Sequence, residues 1–183
     1  MSTDTTAPTS TFAPAPASGA ASGAAAPGTH APSGATQRTQ LAIRATPEQV
    51  WAALTDGAVT PAYYLGFVAD YGDLSAGSSY RYTAGGGDVI TGDILEVVPG
   101  RRLSTTFNGY WAPDVAELPT STVSFEIFEP CMPMPGVTFL SCTHTGLPAT
   151  ATAEHLEIGW VSILSGLKTL VETGQPLSTP PHA

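Results

Sequence analysis

Apolar positions recur along this chain with two different periods. From Glu154 to Glu172, Leu156, Trp160, Ile163, Leu164, Leu167, Leu170 and Val171 fall in one stripe roughly 120° wide at helical spacing. Glu154, Glu157, Ser165, Lys168 and Glu172 lie outside the stripe, and Gly174 stands where a left-handed residue closes a helix. A helix of that length spans roughly 28 Å. It buries such a face only against something equally broad, and the segment before it supplies strands.

Gln40 to Ala45 alternates as a short strand, with Leu41 and Ile43 on one side. Thr46-Pro47-Glu48-Gln49 then opens a helix with three agreeing signals: a capping threonine, a first-turn proline and a glutamine able to complete a capping box. Val50, Trp51 and Leu54 supply its buried face, and Asp56-Gly57 stops it. Thr60-Pro61 starts a second short helix through Tyr63, Tyr64 and Leu65. Strands follow at Phe67–Tyr71, Ser78–Thr83, Asp88–Val98, Arg101–Asn108, Thr120–Glu129 and Val137–Thr145. Gly85-Gly86-Gly87 and Pro99-Gly100 are hairpin turns, Asn108 to Pro119 is a longer loop, and Pro130 to Gly136 is a proline-rich turn. Hairpin-length links predict an antiparallel meander, hence an α+β architecture in which a curled sheet grips the last helix.

Composition divides the 183 residues unevenly. Residues 1–36 are almost all Ala, Pro, Ser, Thr and Gly, too poor in apolar bulk to offset the entropy of ordering, and read as a disordered tail. Residues 37–177 make one domain of ordinary size, and 178–183 a short tail. The N-terminus lacks the basic and Leu-rich regions of an export signal, and no apolar run approaches the roughly 20 residues of a membrane helix. A soluble, cytoplasmic protein with no membrane insertion is expected. Six Lys and Arg stand against fifteen Asp and Glu, a formal net charge of −9, which argues against nucleic acid as a partner.

Four segments, in order, resemble the SRPBCC or START-like helix-grip superfamily. The closer likeness is to the subfamily related to the C-terminal domain of the heat-shock-protein-90 ATPase activator. Thr46 to Asp56 is similar to that family's first helix, and Gly77-Ser78-Ser79-Tyr80-Arg81-Tyr82 to its Gly-Ser-x-aromatic strand. Gly92 to Val97 with Pro99 and Leu103 resembles its central hairpin, and Gly159-Trp160 through Leu170 and Gly174 its closing helix. The family usually has a tryptophan at the second short helix, where this chain has Tyr63-Tyr64, and the turn through Cys131 and Met134 is unusual for it. The resemblance implies a curved antiparallel sheet wrapped around the C-terminal helix. The same fold hosts ligand carriers, cyclases and co-chaperones, so it does not name a function.

Candidate chemistry is thin. His144 near the end of the last strand and His155 at the start of the helix are the domain histidines available for catalysis, with Glu126 or Asp93 as acid–base partners. The plainer reading makes His144 a hydrogen-bonded strand residue and His155 a solvated one, so no catalytic residue is assigned. Cys131 and Cys142 flank a hairpin in which, if Phe128 and Val137 begin the opposing strands, Cys142 pairs nearer Phe125 than Cys131, against a disulfide. The spacing of His, Cys and Glu supports no metal site, and no cofactor is expected. A cavity between sheet and helix has as candidate lining Tyr82, Tyr110, Trp111, Phe125, Gly159, Trp160, Ile163 and Gly166. The leading expectation is a non-enzymatic domain holding a small apolar or amphipathic molecule there. The alternatives are a chaperone-cofactor-like module with a protein partner, and a cyclase- or hydrolase-like enzyme using His144.

Overall fold

The computed structural model describes residues 35–129, 132 and 134–178. Residues 1–34 of the tail expected over residues 1–36, Cys131 and the centre of the proline-rich turn, and the last five residues lie outside them.

The first strand, β1 (Ala35–Ile43), starts inside the segment read as tail. Helix α1 (Pro47–Thr55) has the expected capping box: Thr46 accepts from the Gln49 N–H, and the Gln49 side chain accepts from the Thr46 N–H at 2.9 Å. Its buried residues are Val50, Ala53 and Leu54, while Trp51 is half-buried at the core's margin. The second short helix is a single 3₁₀ turn, Thr60–Ala62. Its exit carries Leu65 in the left-handed region (φ 56°), costly for a residue with a Cβ.

The strands β2 (Val68–Asp70), β3 (Ser79–Ala84), β4 (Gly87–Val98), β5 (Arg102–Gly109), β6 (Ser121–Phe128) and β7 (Thr138–Leu147) join β1 in one antiparallel sheet of order β1-β7-β6-β5-β4-β3-β2. Six consecutive strands form a meander, and the first strand returns to pair with the last, Leu41 opposite Leu140. Register shifts at Tyr82/Thr83 and at Ile94/Glu96 bend the sheet, as bulges do. The loop expected from Asn108 to Pro119 contains a short helix, α2 (Pro113–Ala116), started by a proline in its first turn.

Helix α3 (Ala151–Thr173) closes the fold. It begins three residues before the expected start because Thr150 caps it, accepting from the Ala153 N–H at 3.3 Å. At its other end Gly174 adopts φ 72° and its N–H donates to the Leu170 carbonyl at 2.7 Å. Trp160, Ile163, Leu164 and Leu167 are buried on the concave face against Ile43, Ile90, Ile94, Leu103, Phe107, Val123, Phe125 and Leu140. Polar ties hold the helix at both ends. Gln37 donates to the Ala153 carbonyl at 2.6 Å, and Lys168 donates to the Ala42 carbonyl at 2.7 Å while pairing with Glu172, which accepts from the Arg44 N–H. Among the described residues, no helix is long and apolar enough to cross a membrane.

Trp160 is 5 % exposed and meets Tyr64, Phe107 and Phe125 at ring-centroid distances of 6.1, 6.3 and 5.8 Å. Truncation of so large a buried aromatic, Trp160→Ala, is expected to cost about 3–5 kcal/mol in urea unfolding. A loss below about 1 kcal/mol would mean that α3 does not depend on this contact.

Candidate functional site

The concave face is not filled to its end. Between the first half of α3, α2 and the segment Tyr64–Phe67 lies a cavity of about 270 Å³. Its floor is Ile90, Phe107, Trp160 and Ile163, its walls are Tyr64, Phe67, Trp111 and Val115, and Leu156 and Gly159 face it from the helix. Two features leave the space open. A Cβ built on Gly159 meets nothing within 4 Å, so the helix surface recedes there. Trp111 is held away from the centre because its indole lies on Gly109, where a Cβ would come within 2.6 Å of the ring. Trp111 stands 6.1 Å from Phe107 and 6.4 Å from Phe67, completing an aromatic wall.

The rim is polar. Thr152 in the first turn of α3 donates to the Asp114 carboxylate of α2 at 3.0 Å, so this bond joins the two helices across the mouth. His155, exposed, stands beside them. Leu65 and Trp111 are 54 % and 40 % exposed, so apolar surface continues outward to solvent.

Below the floor sits a buried polar chain. His144 is fully buried, and its Nδ1 accepts from the Trp160 indole N–H at 3.0 Å. Indole is a donor only, so the neutral ring carries its proton on Nε2 and donates it to Ser121 Oγ at 2.7 Å. The Ser121 hydroxyl passes its own proton toward the Phe107 carbonyl at 3.4 Å. Both ring nitrogens are thus committed. Protonation would set an Nδ1–H against the indole N–H in a dry site, and burial holds the imidazole down at about 4.

A family model for activator of Hsp90 ATPase homolog 1-like protein matches residues 44–172, more than half of the chain. This chain belongs to that family. The Aha1 dimer from Colwellia psychrerythraea has a similar fold, with a TM-score of 0.60 at 20 % identity over 76 % of this chain and 98 % of that one. PFC0360w, an HSP90 activator from Plasmodium falciparum, aligns with a TM-score of 0.60 at 22 % identity, over 77 % of this chain and 97 % of that one. The protein CV1439 from Chromobacterium violaceum is 28 % identical, with a TM-score of 0.57 over 75 % and 96 % of the two chains. No curated protein sequence matches it at a significant level. The α+β helix-grip fold expected from the sequence is the fold of this member of the Hsp90 ATPase activator homolog 1-like family.

In this family member, Trp111, Gly159, Trp160 and Ile163 stand together around the cavity. The other four candidate lining residues lie elsewhere. Tyr82 is 4 % exposed in the core, its hydroxyl 2.7 Å from that of Tyr71, and Phe125 is packed behind Trp160. Tyr110, half-exposed, takes a hydrogen bond from Thr91 at 3.3 Å because it follows the end of β5 with the opposite side-chain sense to Gly109. Gly166 is packed against Tyr63, whose carbonyl oxygen would lie 3.2 Å from an added Cβ.

The weak acid–base constellation is not assembled. His144 shares the concave face with Leu140 and Cys142, whereas Glu126 alternates with the buried Phe125 and Ile127 and pairs outward with Arg102 at 2.9 Å. Asp93 is exposed and accepts from Ser79 at 2.9 Å. Cys142 is buried opposite Phe125, and burial pushes its thiol well up. Among the described residues no three His, Cys, Asp or Glu side chains could hold one metal ion. Tyr64, Leu65, Phe67, Ile90, Phe107 and the α2 residues were outside the candidate lining. The signal for α2 was present in Ala112-Pro113-Asp114, a helix start placed inside a presumed loop.

A histidine held at about 4 in the fold and near 6.5 when unfolded binds fewer protons in the folded state between those values. Its contribution is fully present above about pH 6.5 and is lost as pH falls toward 4. Urea titrations should show stability dropping by about 2 kcal/mol from pH 7 to pH 5. In His144→Gln, less stable at pH 7, that pH-dependent loss should be absent. An equal slope in both proteins would show that His144 is not held neutral.

Proposed function

We propose that this chain is a non-enzymatic, cytoplasmic START-like protein that holds a small apolar or amphipathic molecule in the cavity between the sheet and α3. The observation that carries the reading is the open, aromatic-lined space beside Gly159. An engineered apolar cavity of roughly 150 Å³ takes benzene, so by proportion about 270 Å³ suits about eleven non-hydrogen atoms. That is the size of a bicyclic or a short alkyl-aromatic body. Leu65, Trp111 and the Asp114–Thr152 pair at the mouth suit a ligand with one polar end. Catalysis finds little support, since His144 has both nitrogens committed and Glu126 and Asp93 face away.

A protein-partner role is the second reading, favoured by family membership and by the outer side of α3. Ile158 and Val161 there are 66 % and 51 % exposed, one helical turn apart. It predicts that the purified protein stimulates an Hsp90 ATPase and that Ile158→Asp with Val161→Asp removes the effect. Absence of stimulation and of retention on immobilised Hsp90 would eliminate it.

Gly159→Leu tests the ligand reading. An added Cβ meets nothing within 4 Å at this lining position, so a leucine is expected to fill the cavity, and replacing a helical glycine removes a penalty of about 1 kcal/mol. The variant is expected to keep or raise its unfolding temperature. It is also expected to lose the calorimetric binding and thermal stabilisation that naphthalene and indole give the unsubstituted protein. Equal binding to both proteins would place the ligand elsewhere, and failure of the whole apolar panel with the unsubstituted protein would dismiss the cavity as a binding site.

A further inference from the structure

The cavity has a pronounced electrostatic character. Tyr64, Phe67, Phe107, Trp111 and Trp160 surround it, with Tyr64 and Trp160 edge-to-face at 87° and Phe107 and Trp111 at 72°. Five aromatic rings thus border one space, and the face of such a ring attracts a cation. Asp114 is the one carboxylate among the lining residues, and Thr152 holds it at the mouth. Two further acids, Glu154 and Glu157, flank His155 on the exposed side of α3.

Among the described residues no lysine or arginine balances them. All six Lys and Arg residues are absent from the lining. Arg38 bonds Ser141, Arg81 pairs with Asp70, Arg102 with Glu96 and Glu126, and Lys168 with Glu172. The positive end of the α3 dipole is already faced by Glu154 and Asp114. An anionic ligand would therefore enter an aromatic cavity with a carboxylate at its mouth and no lysine or arginine to receive it, the one basic group of the rim being the exposed imidazole of His155 beside Glu154 and Glu157. A cation would find five aromatic rings among the lining residues and one carboxylate at the exit.

We propose that this cavity takes a small organic cation, a tertiary or quaternary ammonium carried on an aromatic or short alkyl body. This assignment rests on the cavity being the ligand site. The space of about 270 Å³ is too small for a diacyl lipid but suits an ammonium group together with its own aromatic or alkyl body, which favours a free small molecule over a membrane headgroup.

A matched pair of probes separates charge from shape. Benzyltrimethylammonium and neopentylbenzene differ only in a quaternary nitrogen replaced by carbon, and phenylacetate supplies an anion on a similar ring. Binding is read by tryptophan fluorescence, since Trp111 and Trp160 line the cavity, and by calorimetry at pH 8, above the usual titration range of histidine. The ammonium is expected to bind at least about tenfold more tightly than the neutral isostere, about 1.4 kcal/mol, with phenylacetate weakest. In Asp114→Asn, which keeps an acceptor for Thr152, the ratio of the two dissociation constants should fall severalfold toward one. Trp111→Leu should reduce the ratio as well, with folding checked by thermal unfolding. Equal binding of ammonium and neopentylbenzene, or tighter phenylacetate, would overturn the cation assignment while leaving the apolar cavity as a site. Failure of all three, with naphthalene and indole also silent, would remove the site itself. Co-sedimentation with phosphatidylcholine vesicles is expected to be absent, and its presence would overturn the assignment to a free molecule.

Discussion

The indole of Trp160 holds two halves of this protein in register. Its N–H donates to His144 on β7, its ring packs against Phe107 of β5 and Phe125 of β6, and Tyr64 from the segment before β2 abuts it. A single side chain therefore touches three strands and the crossover that covers them. The hydrogen bond gives this contact a direction that apolar packing lacks, because an unpaired indole N–H or imidazole nitrogen in a dry core costs about 1–3 kcal/mol. Sliding α3 by one turn would leave both the Trp160 indole N–H and His144 Nδ1 without a partner. The apolar stripe docks the helix, and this polar chain selects one position along it.

That position determines where the core ends. Toward the C-terminus of α3, Leu164 and Leu167 are fully packed and Gly166 lies against Tyr63, so the space is closed by matter. Toward the N-terminus the helix presents Gly159 and Leu156, and the space between them, Phe107 and Ile90 of the sheet, and Val115 of α2 stays open. Two glycines seven residues apart share one side of the helix yet serve opposite ends: one admits a neighbouring backbone and the other leaves a vacancy. The sequence spacing is identical for both uses, and only the partner differs.

Much of the fold was legible from local rules. The Thr46–Gln49 capping box, the alternation of Val123, Phe125 and Ile127, the Pro99-Gly100 turn and the Gly174 closure each depend on neighbours within a few residues. What escaped was non-local or masked by a stronger pattern. Nothing in Ala35–Ile43 announces that it pairs with β7, the most distant strand in sequence. Helix α2 is one turn long, too short for periodicity, and only Pro113 marks it. The candidate lining was legible in part. Tyr82 and Phe125 are aromatics of regular strands, and alternation turns them into the filled core. Trp111 follows a strand end and Gly159 lacks a side chain, so both stand where packing is incomplete. Loop aromatics and helical glycines were better guides to the cavity than strand aromatics were.

The distribution of polar groups follows from the same geometry. On the concave face His144, Ser121, Tyr80, Tyr82 and Tyr71 are bonded to one another or to carbonyls, Tyr80 donating to Thr106 at 2.8 Å. Such groups stabilise the core but have no capacity left for a ligand. The remaining polar capacity lies at the rim, on Asp114, Thr152 and His155, carried by the two helices that the sheet merely supports. If the cavity holds the proposed ligand, affinity would come from the buried rings, and discrimination from three side chains on short or terminal helical segments. Change at the rim would then alter which molecule is accepted without touching the interactions that hold α3 in place. Change on the floor, where Phe107 and Trp160 serve both core and cavity, would alter fold and binding together.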